Sequence, residues 1–391
     1  MDMAPGWRAV AWREWRALRG SGWDLALVSW WPLLLLGILW WTFTAGLPRA
    51  LPLVWLDQDH SASSRQLLRL LQASPTLSLQ QQAADENEAM HRVRSGGAVG
   101  WLVVPRDFER EIQQGRSPAL FLQVNGQQST ASGMVKSQVQ TAVAMFSAGA
   151  ELKIRTAQGE PLAQALGNAE PLRPGLSTLF NGTMNYEAFL VPALGTALLQ
   201  LLAMFAGVAC VGRELRNGSV PAWLASAGGR ALPALTGKLL VNLVPLALLS
   251  AAMLFGLALG RGFAIEGSAA LLLAAHALAL VANAALGVVA VLAARSLRMG
   301  LSIAGVVASP AFTYAGAGYP LLAMPPFAQA WAALLPLTHL LRLQAEQWGM
   351  GAPAAYAADD LAALVAMAVL PWLLVPMLLR RALSPAAWGR P

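Results

Sequence analysis

The stretch LALVSWWPLLLLGILWWTF, residues 25–43, runs for 19 residues without one charged side chain. Crossing the hydrocarbon of a bilayer takes about 20 apolar residues in a helix, and helices buried in soluble cores rarely reach that length without a charged face. Five further windows match or approach it: roughly Ala188–Val211, Leu239–Leu259, Ala269–Ala294, Leu301–Ala323 and Leu361–Leu379. The last two carry Pro310 and Pro320, and Pro371 and Pro376, so they read as kinked or broken spans whose freed carbonyls neighbouring helices satisfy. The first run is longer than the h-region of a signal peptide and follows some two dozen residues, so it reads as an uncleaved anchor. Trp30, Trp31, Trp40 and Trp41 sit toward its ends, where indoles favour the headgroup layer.

Charge placement sets the expected orientation. With the N-terminus cytoplasmic, the inner segments hold 13 Lys/Arg and four Asp/Glu, and the rest holds 14 and 16. The formal charge of +7 thus resolves into +9 on inner stretches and −2 elsewhere. That is the positive-inside pattern with both termini cytoplasmic. A basic chain invites a nucleic-acid reading, but cations placed this way report topology, and no nucleic-acid partner is expected.

Residues 1–24 form the first segment, an amphipathic interfacial helix. At 100° per residue Trp7, Val10, Ala11, Trp15 and Leu18 share a face, and Arg8, Arg13, Arg16 and Arg19 share the opposite one, the pattern of a helix lying in the headgroup plane. Residues 25–47 form the first span. Residues 48–186 comprise an extracytoplasmic α/β domain and its return linker. Strand-like runs at Leu51–Leu56, Leu77–Gln80, Ala98–Val104 and Ala119–Val124 alternate with helical patterns at Ser63–Leu71, Ala83–Arg94, Asp107–Gln113 and Ser132–Ile154. Residues 157–181, rich in Pro and Gly, read as the return path. Residues 187–380 hold five spans, with a short cytoplasmic helical segment at 213–232 and an outer re-entrant segment at 316–358, where Pro325, Pro326 and Pro336 interrupt apolar sequence. Residues 381–391 form a cytoplasmic tail. The expected fold is therefore an α-helical integral membrane protein of six transmembrane helices, arranged 1+5 around an inserted α/β domain.

Little in the chain points to chemistry. Thr236-Gly237-Lys238-Leu239 lacks the first glycine and the final Ser/Thr of a phosphate-binding loop, so no ATP site, catalytic residue or cofactor is expected on this polypeptide. Asp57-Gln58-Asp59-His60 has metal-like donors but precedes Ser61, Ser63 and Ser64 at a helix start, where capping explains it. The lone Cys210 has no disulfide partner. Asp24, Glu187 and Lys238 fall near span ends, which leaves no fixed charge to couple ions. His276 lies well inside a span, and two readings stand for it. It lines a polar cavity with Asn283, Asn242 and Gln200, or it makes a helix–helix hydrogen bond. His339 reads as ordering the re-entrant turn.

Several local sequences coincide with this topology: Val54-Trp55-Leu56-Asp57-Gln58-Asp59-His60-Ser61, then Val211-Gly212-Arg213-Glu214-Leu215-Arg216-Asn217-Gly218-Ser219, Gly237-Lys238, Gly318-Tyr319-Pro320 and Leu335-Pro336-Leu337-Thr338. Together they resemble the permease subunits of ABC-2 type exporters that carry a large domain between the first two spans. The chain departs from that pattern at Asn181-Gly182, where Asn-Pro is common, and at Ser219-Val220-Pro221, where Thr and a second Glu are common.

The resemblance implies a multi-pass permease of the bacterial cytoplasmic (inner) membrane that drives efflux of a hydrophobic or amphipathic substrate. It implies pairing with itself or a related permease, and binding of a separate ABC ATP-binding subunit that holds ATP and Mg. A periplasmic adaptor would be a further partner. ATPase coupling would fall on Arg213, Glu214, Arg216, Gly218 and Trp223, and contact with the bilayer on Trp7, Arg8, Trp15 and Arg16. The rival readings are a membrane-anchored surface sensor working through its outer domain, and an ion-coupled secondary transporter working through His276.

Overall fold

A computed structural model of the chain describes residues 4–46, 48–79, 82–161, 180–181 and 185–384. Most of the return linker, Gly182 and the end of the tail lie outside the described residues. The chain divides into two compact units, Ala45–Thr178 and the remainder, Met1–Thr44 with Leu179–Pro391.

The helical unit opens with α1 (Trp7–Gly20), α2 (Gly22–Val28) and α3 (Trp30–Phe43). The expected first span is not one straight helix: α2 and α3 meet at 44°. Pro32 accounts for the break, since it cannot donate to the Val28 carbonyl and its ring crowds that group. The Ser29 hydroxyl donates to the Leu25 carbonyl at 2.5 Å at the bend.

The second unit contains β1 (Leu51–Asp57), α4 (Ala62–Gln72), β2 (Leu77–Ser78), α5 (Glu86–Arg94), β3 (Gly100–Val104), α6 (Phe108–Gln113), β4 (Phe121–Val124) and α7 (Ser129–Ala157). Its sheet has the order β2-β1-β3-β4, parallel except for β4. Strand periodicity sorts the side chains to two faces. Leu53, Trp55, Leu102 and Val104 join Leu67, Leu71, Val135 and Phe146 under α4 and α7, while Val54, Leu56, Trp101 and Val103 join Ala89 of α5. Because both faces of β1 and β3 are covered, their sequences read as unbroken apolar runs. Asp57 does local work: Oδ1 accepts from the Asp59 and His60 backbone N–H groups, each at 3.0 Å, and Oδ2 accepts from the Ser64 hydroxyl at 2.7 Å. Ser61 caps α4 through the Ser64 N–H.

The helical unit resumes with α8 (Tyr186–Arg216), α9 (Val220–Ser226), α10 (Ala231–Arg261), α11 (Ala269–Ala294), α12 (Leu297–Ala308), α13 (Ala311–Tyr314), α14 (Pro326–Ala333), α15 (Pro336–Ala345), a π turn at Glu346–Met350, α16 (Ala358–Val369) and α17 (Pro371–Ala382). Among the described residues α8, α10, α11 and the continuous Ala358–Ala382 are long and apolar enough to cross a bilayer, and the bent α2–α3 pair makes a fifth. Exposed apolar side chains such as Leu33, Trp41, Leu248, Val306 and Leu373 face the surface where acyl chains would lie.

The expected span Leu301–Ala323 is not a continuous helix. Pro310 has no N–H to donate and crowds the Val306 carbonyl, so α12 ends at Ala308. Its path along α8 is nonetheless clear. Leu297 packs where a side chain on Gly212 would stand, Gly300 lies against Val208, and Ala311 and Ala315 share a cluster with Ala193. Nineteen helical residues separate Gly212 from Ala193, a rise of about 29 Å, close to the hydrocarbon thickness of a bilayer.

The segment α14–α15 then turns back. Leu335 and Leu337 reach the level of Gln200, and the π turn reaches the far end, where Gln347 accepts from the Ser268 N–H at 2.9 Å and Trp348 donates to the Ala188 carbonyl at 3.0 Å. The two helices form a hairpin folded back against α8 and α11.

At the centre, α8 and α11 cross backbone to backbone. A Cβ on Gly207 would stand 2.9 Å from the Ala284 carbonyl carbon, and one on Gly287 would stand 3.1 Å from the Val208 nitrogen. Small residues at such crossings permit the close packing that associates helices in lipid.

Candidate functional site: a buried ion cluster beneath a short helix

Helix α8 ends in a Schellman motif. The Ser219 N–H donates to the Glu214 carbonyl at 2.9 Å and the Gly218 N–H to the Leu215 carbonyl at 3.2 Å. Gly218 sits at φ 63°, the left-handed conformation this cap requires and glycine adopts without strain. The reversal sends the chain into α9, whose Val220 and Trp223 are buried while Pro221, Ala222 and Ala225 are exposed. Arg216 is also exposed.

The cluster joins α1, α2, α8 and α10. Glu14 of α1 is 1% exposed and lies at the four-residue spacing that places it between buried Val10 and Leu18. Its Oε2 accepts from Lys238 Nζ at 2.6 Å, and its Oε1 accepts from Arg213 and, at 3.1 Å, from Asn242 Nδ2. Arg213 also donates to Asp24 Oδ2 at 2.6 Å. Glu214 accepts from Lys238 at 2.8 Å, Arg13 at 2.9 Å and the Ser219 hydroxyl at 2.5 Å. Lys238 Nζ stands 5.3 Å from the Trp223 ring centroid, and Trp223 Nε1 donates to the Ala234 carbonyl at 3.1 Å.

Three cations (Arg13, Arg213, Lys238) therefore meet three anions (Glu14, Asp24, Glu214). Neutrality and dense hydrogen bonding are what permit ions so poorly hydrated to persist, since an unpaired buried charge costs several kcal/mol. Gly237 brings the pieces together: a Cβ there would stand 2.5 Å from the Trp7 carbonyl and 2.6 Å from Val10 Cβ, so only glycine lets α1 lie directly on α10. The Gly6 N–H donates to the Ser226 carbonyl at 3.0 Å, joining the start of α1 to the end of α9.

This arrangement corrects the helical-wheel expectation for α1. The helix does not turn one apolar face to lipid with all four arginines opposite. It buries Val10, Glu14 and Leu18 against the bundle, and Arg13 is committed to Glu214. Trp7 and Trp12 remain about half exposed, and Arg8 stacks on Trp7, Arg16 on Trp12 and Arg19 on Trp15. Glu14 escaped notice because a charge count treats it as one acid among arginines. The legible signal was its place, as the only acid of the helix, in line with Val10 and Leu18.

The four polar residues expected to share a cavity do not meet. Asn242 belongs to the ion cluster. His276 Nε2 lies 3.1 Å from Gln344 Oε1, which also accepts from the Thr196 hydroxyl at 2.7 Å, and His276 Nδ1 lies 2.6 Å from Ser250 Oγ. An amide oxygen only accepts, so the proton sits on Nε2 and Nδ1 accepts from Ser250. This is the interhelical hydrogen bond of the second reading, tying α8, α10, α11 and α15. Only Gln200 and Asn283 come together, Asn283 Nδ2 donating to Gln200 Oε1 at 2.9 Å. They line a cavity of about 130 Å³ closed by Val307, Trp331 and Leu335. A span of 3.6-residue period tells which face a polar residue occupies, but not its height or its neighbour on another helix.

The opposite end of the bundle has its own tie. Glu187, 1% exposed, accepts from Trp40 Nε1 at 2.7 Å and from Arg261 at 2.6 Å, and Arg261 also donates to the Thr44 carbonyl at 2.8 Å.

These features define a multi-pass helical membrane protein whose α1, α8 and α10 are locked by ions at one end, beside an exposed short helix. The chain belongs to the ABC-2 family transporter proteins, whose family model matches residues 23–375. It is a membrane component of permease type, the kind of subunit that generally works with an ABC ATP-binding subunit. No curated protein and no solved structure matches the chain.

Proposed function

We propose that this chain is the permease subunit of an ATP-driven exporter, moving a hydrophobic or amphipathic molecule outward across a bacterial inner membrane. The observation that carries the reading is the ion cluster itself. It makes α1, the end of α8, α9 and the start of α10 one mechanical body, with the small exposed residues Pro221, Ala222 and Ala225 and the cation Arg216 on its open surface. A separate ATPase docked there would push all four elements together. In this reading ATP and Mg reside on that partner, and the permease pairs with a second copy or a related permease.

The same reading has six crossings, the broken α12–α13 being the fifth, with both termini and the ion cluster cytoplasmic and the Ala45–Thr178 unit outside. Two features support it: the basic residues Arg295, Arg298, Arg380 and Arg381 fall at alternate turns, as positive-inside placement requires, and α12–α13 matches about 29 Å of α8. The outer unit would meet substrate or a periplasmic adaptor.

Affinity purification in mild detergent tests the reading. The expected result is co-purification of an ABC ATPase whose turnover rises when both are reconstituted. Recovery of the intact chain with no ATPase would overturn it. Neutral partners at both ring nitrogens of His276 favour the structural role over ion coupling. Under that rival, transport would collapse in an uncoupler and in His276→Ala.

A further inference from the structure

His339 of α15 stands between two groups that can only accept hydrogen bonds. Its Nδ1 lies 2.7 Å from Asp360 Oδ1 on α16, and its Nε2 lies 3.0 Å from the Ala333 carbonyl at the end of α14. A neutral imidazole has one N–H and one lone pair, so it satisfies one of these contacts and points a lone pair at the other oxygen. Only the imidazolium donates to both. Asp360 is 3% exposed and takes a second cation, Arg342 Nη1, at 3.2 Å. The charged groups facing the ring are thus Asp360 from α16 and Arg342 from its own helix, with Glu346 of the π turn and Asp359 next outward.

We propose that His339 is a proton-binding site that locks the hairpin α14–α15 to α16, and that loss of the Nε2 proton to water releases α14. Asp360 retains the Nδ1 proton, and the bare Nε2 repels the Ala333 carbonyl. The consequence reaches the centre of the bundle, because Trp331, Leu334 and Leu335 beside that carbonyl wall the Gln200–Asn283 cavity. The hydrogen bond to Asp360 holds the imidazolium's pKa above the ordinary 6.5, against the opposing effects of burial and of Arg342. The sign follows: the lock is complete below about pH 6.5 and is lost as pH rises through the raised value. Export that varies with outside pH would follow, and that clause alone rests on the function proposed above.

Direct observation of the proton tests the site without an ATPase. The chain has four histidines, so ¹⁵N-histidine spectra of the full chain in lipid nanodiscs are assigned by the one signal His339→Gln removes. The expected result is a doubly protonated His339 at pH 6.5 whose titration midpoint falls at least tenfold in proton affinity in Asp360→Asn. Hydrogen exchange at the Leu334 and Leu335 amides, corrected for its intrinsic pH dependence, should rise through the same midpoint in the wild type and be fast and flat in His339→Gln. A singly protonated His339 at pH 6.5, or a midpoint unmoved by Asp360→Asn, overturns the proposal. So does exchange that follows pH identically with and without the imidazole. Should His339→Gln fail to fold, the Asp360→Asn titration still decides.

Discussion

Substituting Glu14 by Gln removes one charge from the ion cluster while keeping the size of the side chain. Glu14 now receives Lys238 on one oxygen and Arg213 with Asn242 on the other. An amide has one accepting oxygen, so its NH₂ must face either Lys238 or the Arg213–Asn242 pair, donor against donor. The cluster simultaneously passes from neutral to +1, with Lys238 3% exposed. Breaking a buried pair from one side costs about 3–5 kcal/mol, and nothing near Glu14 is exposed enough for water to repair it. Lys238→Met alone leaves Glu14 and Glu214 short of a cation and should cost about as much. The double variant Glu14→Gln, Lys238→Met restores a neutral cluster of two cations and two anions, so its loss should fall well below the sum, by about 2 kcal/mol or more. Unfolding midpoints in mixed detergent micelles, followed by circular dichroism, give the cycle. Under the proposed function, stimulation of a reconstituted ABC ATPase by the permease is the functional counterpart, and it should fail in each single variant and recover in part in the double. Losses that simply add, to within about 0.5 kcal/mol, would refute a coupled cluster and leave α1 as a helix merely lying on the bundle.

Other substitutions probe the remaining joints. Gly237→Val drives a side chain into the Trp7 carbonyl and Val10, so α1 should lift from α10 and a protease should cut between α1 and α2 far faster than in the wild type. Trp223→Ala removes a fully buried indole and the ring over Lys238, which should cost about 3–5 kcal/mol by the same unfolding assay while leaving secondary structure intact. Gly207→Leu forces apart α8 and α11 where their backbones touch, at a cost of at least about 1–3 kcal/mol, measured as a lowered melting temperature in nanodiscs. Arg261→Met leaves buried Glu187 with only the Trp40 indole. Because Arg261 is itself about a third exposed, solvent screens the pair and the loss should be smaller than for Glu14→Gln, checked by the same unfolding assay.

Membership of the membrane class, the start of α4 behind Ser61 and the alternation of strands and helices along residues 51–157 were legible in the chain because each depends on local chemistry. Apolar length, prolines and capping residues act on near neighbours, and Ser61 declares the start of α4 through its own hydroxyl, whereas the cap at Gly218 was not read from the sequence. Pro310 marks a kinked or broken span for the same reason, but how α12 and α13 follow α8 is decided by packing. Glu14 precedes Arg213 by 199 residues and Lys238 by 224, and their local surroundings describe an arginine-rich helix, the end of one span and the beginning of another. Only packing shows that Gly237 lets α1 approach closely enough for the three charges to meet. The same holds in reverse for Gln200, Asn242, His276 and Asn283, which look alike as polar residues in apolar helices. The height of each on its helix sends one to the ion cluster, one to an interhelical bond and two to a shared cavity. Sequence determines which groups need partners, because burial of a polar group is costly anywhere. Tertiary structure decides which partners they find, because that depends on distances no local pattern encodes.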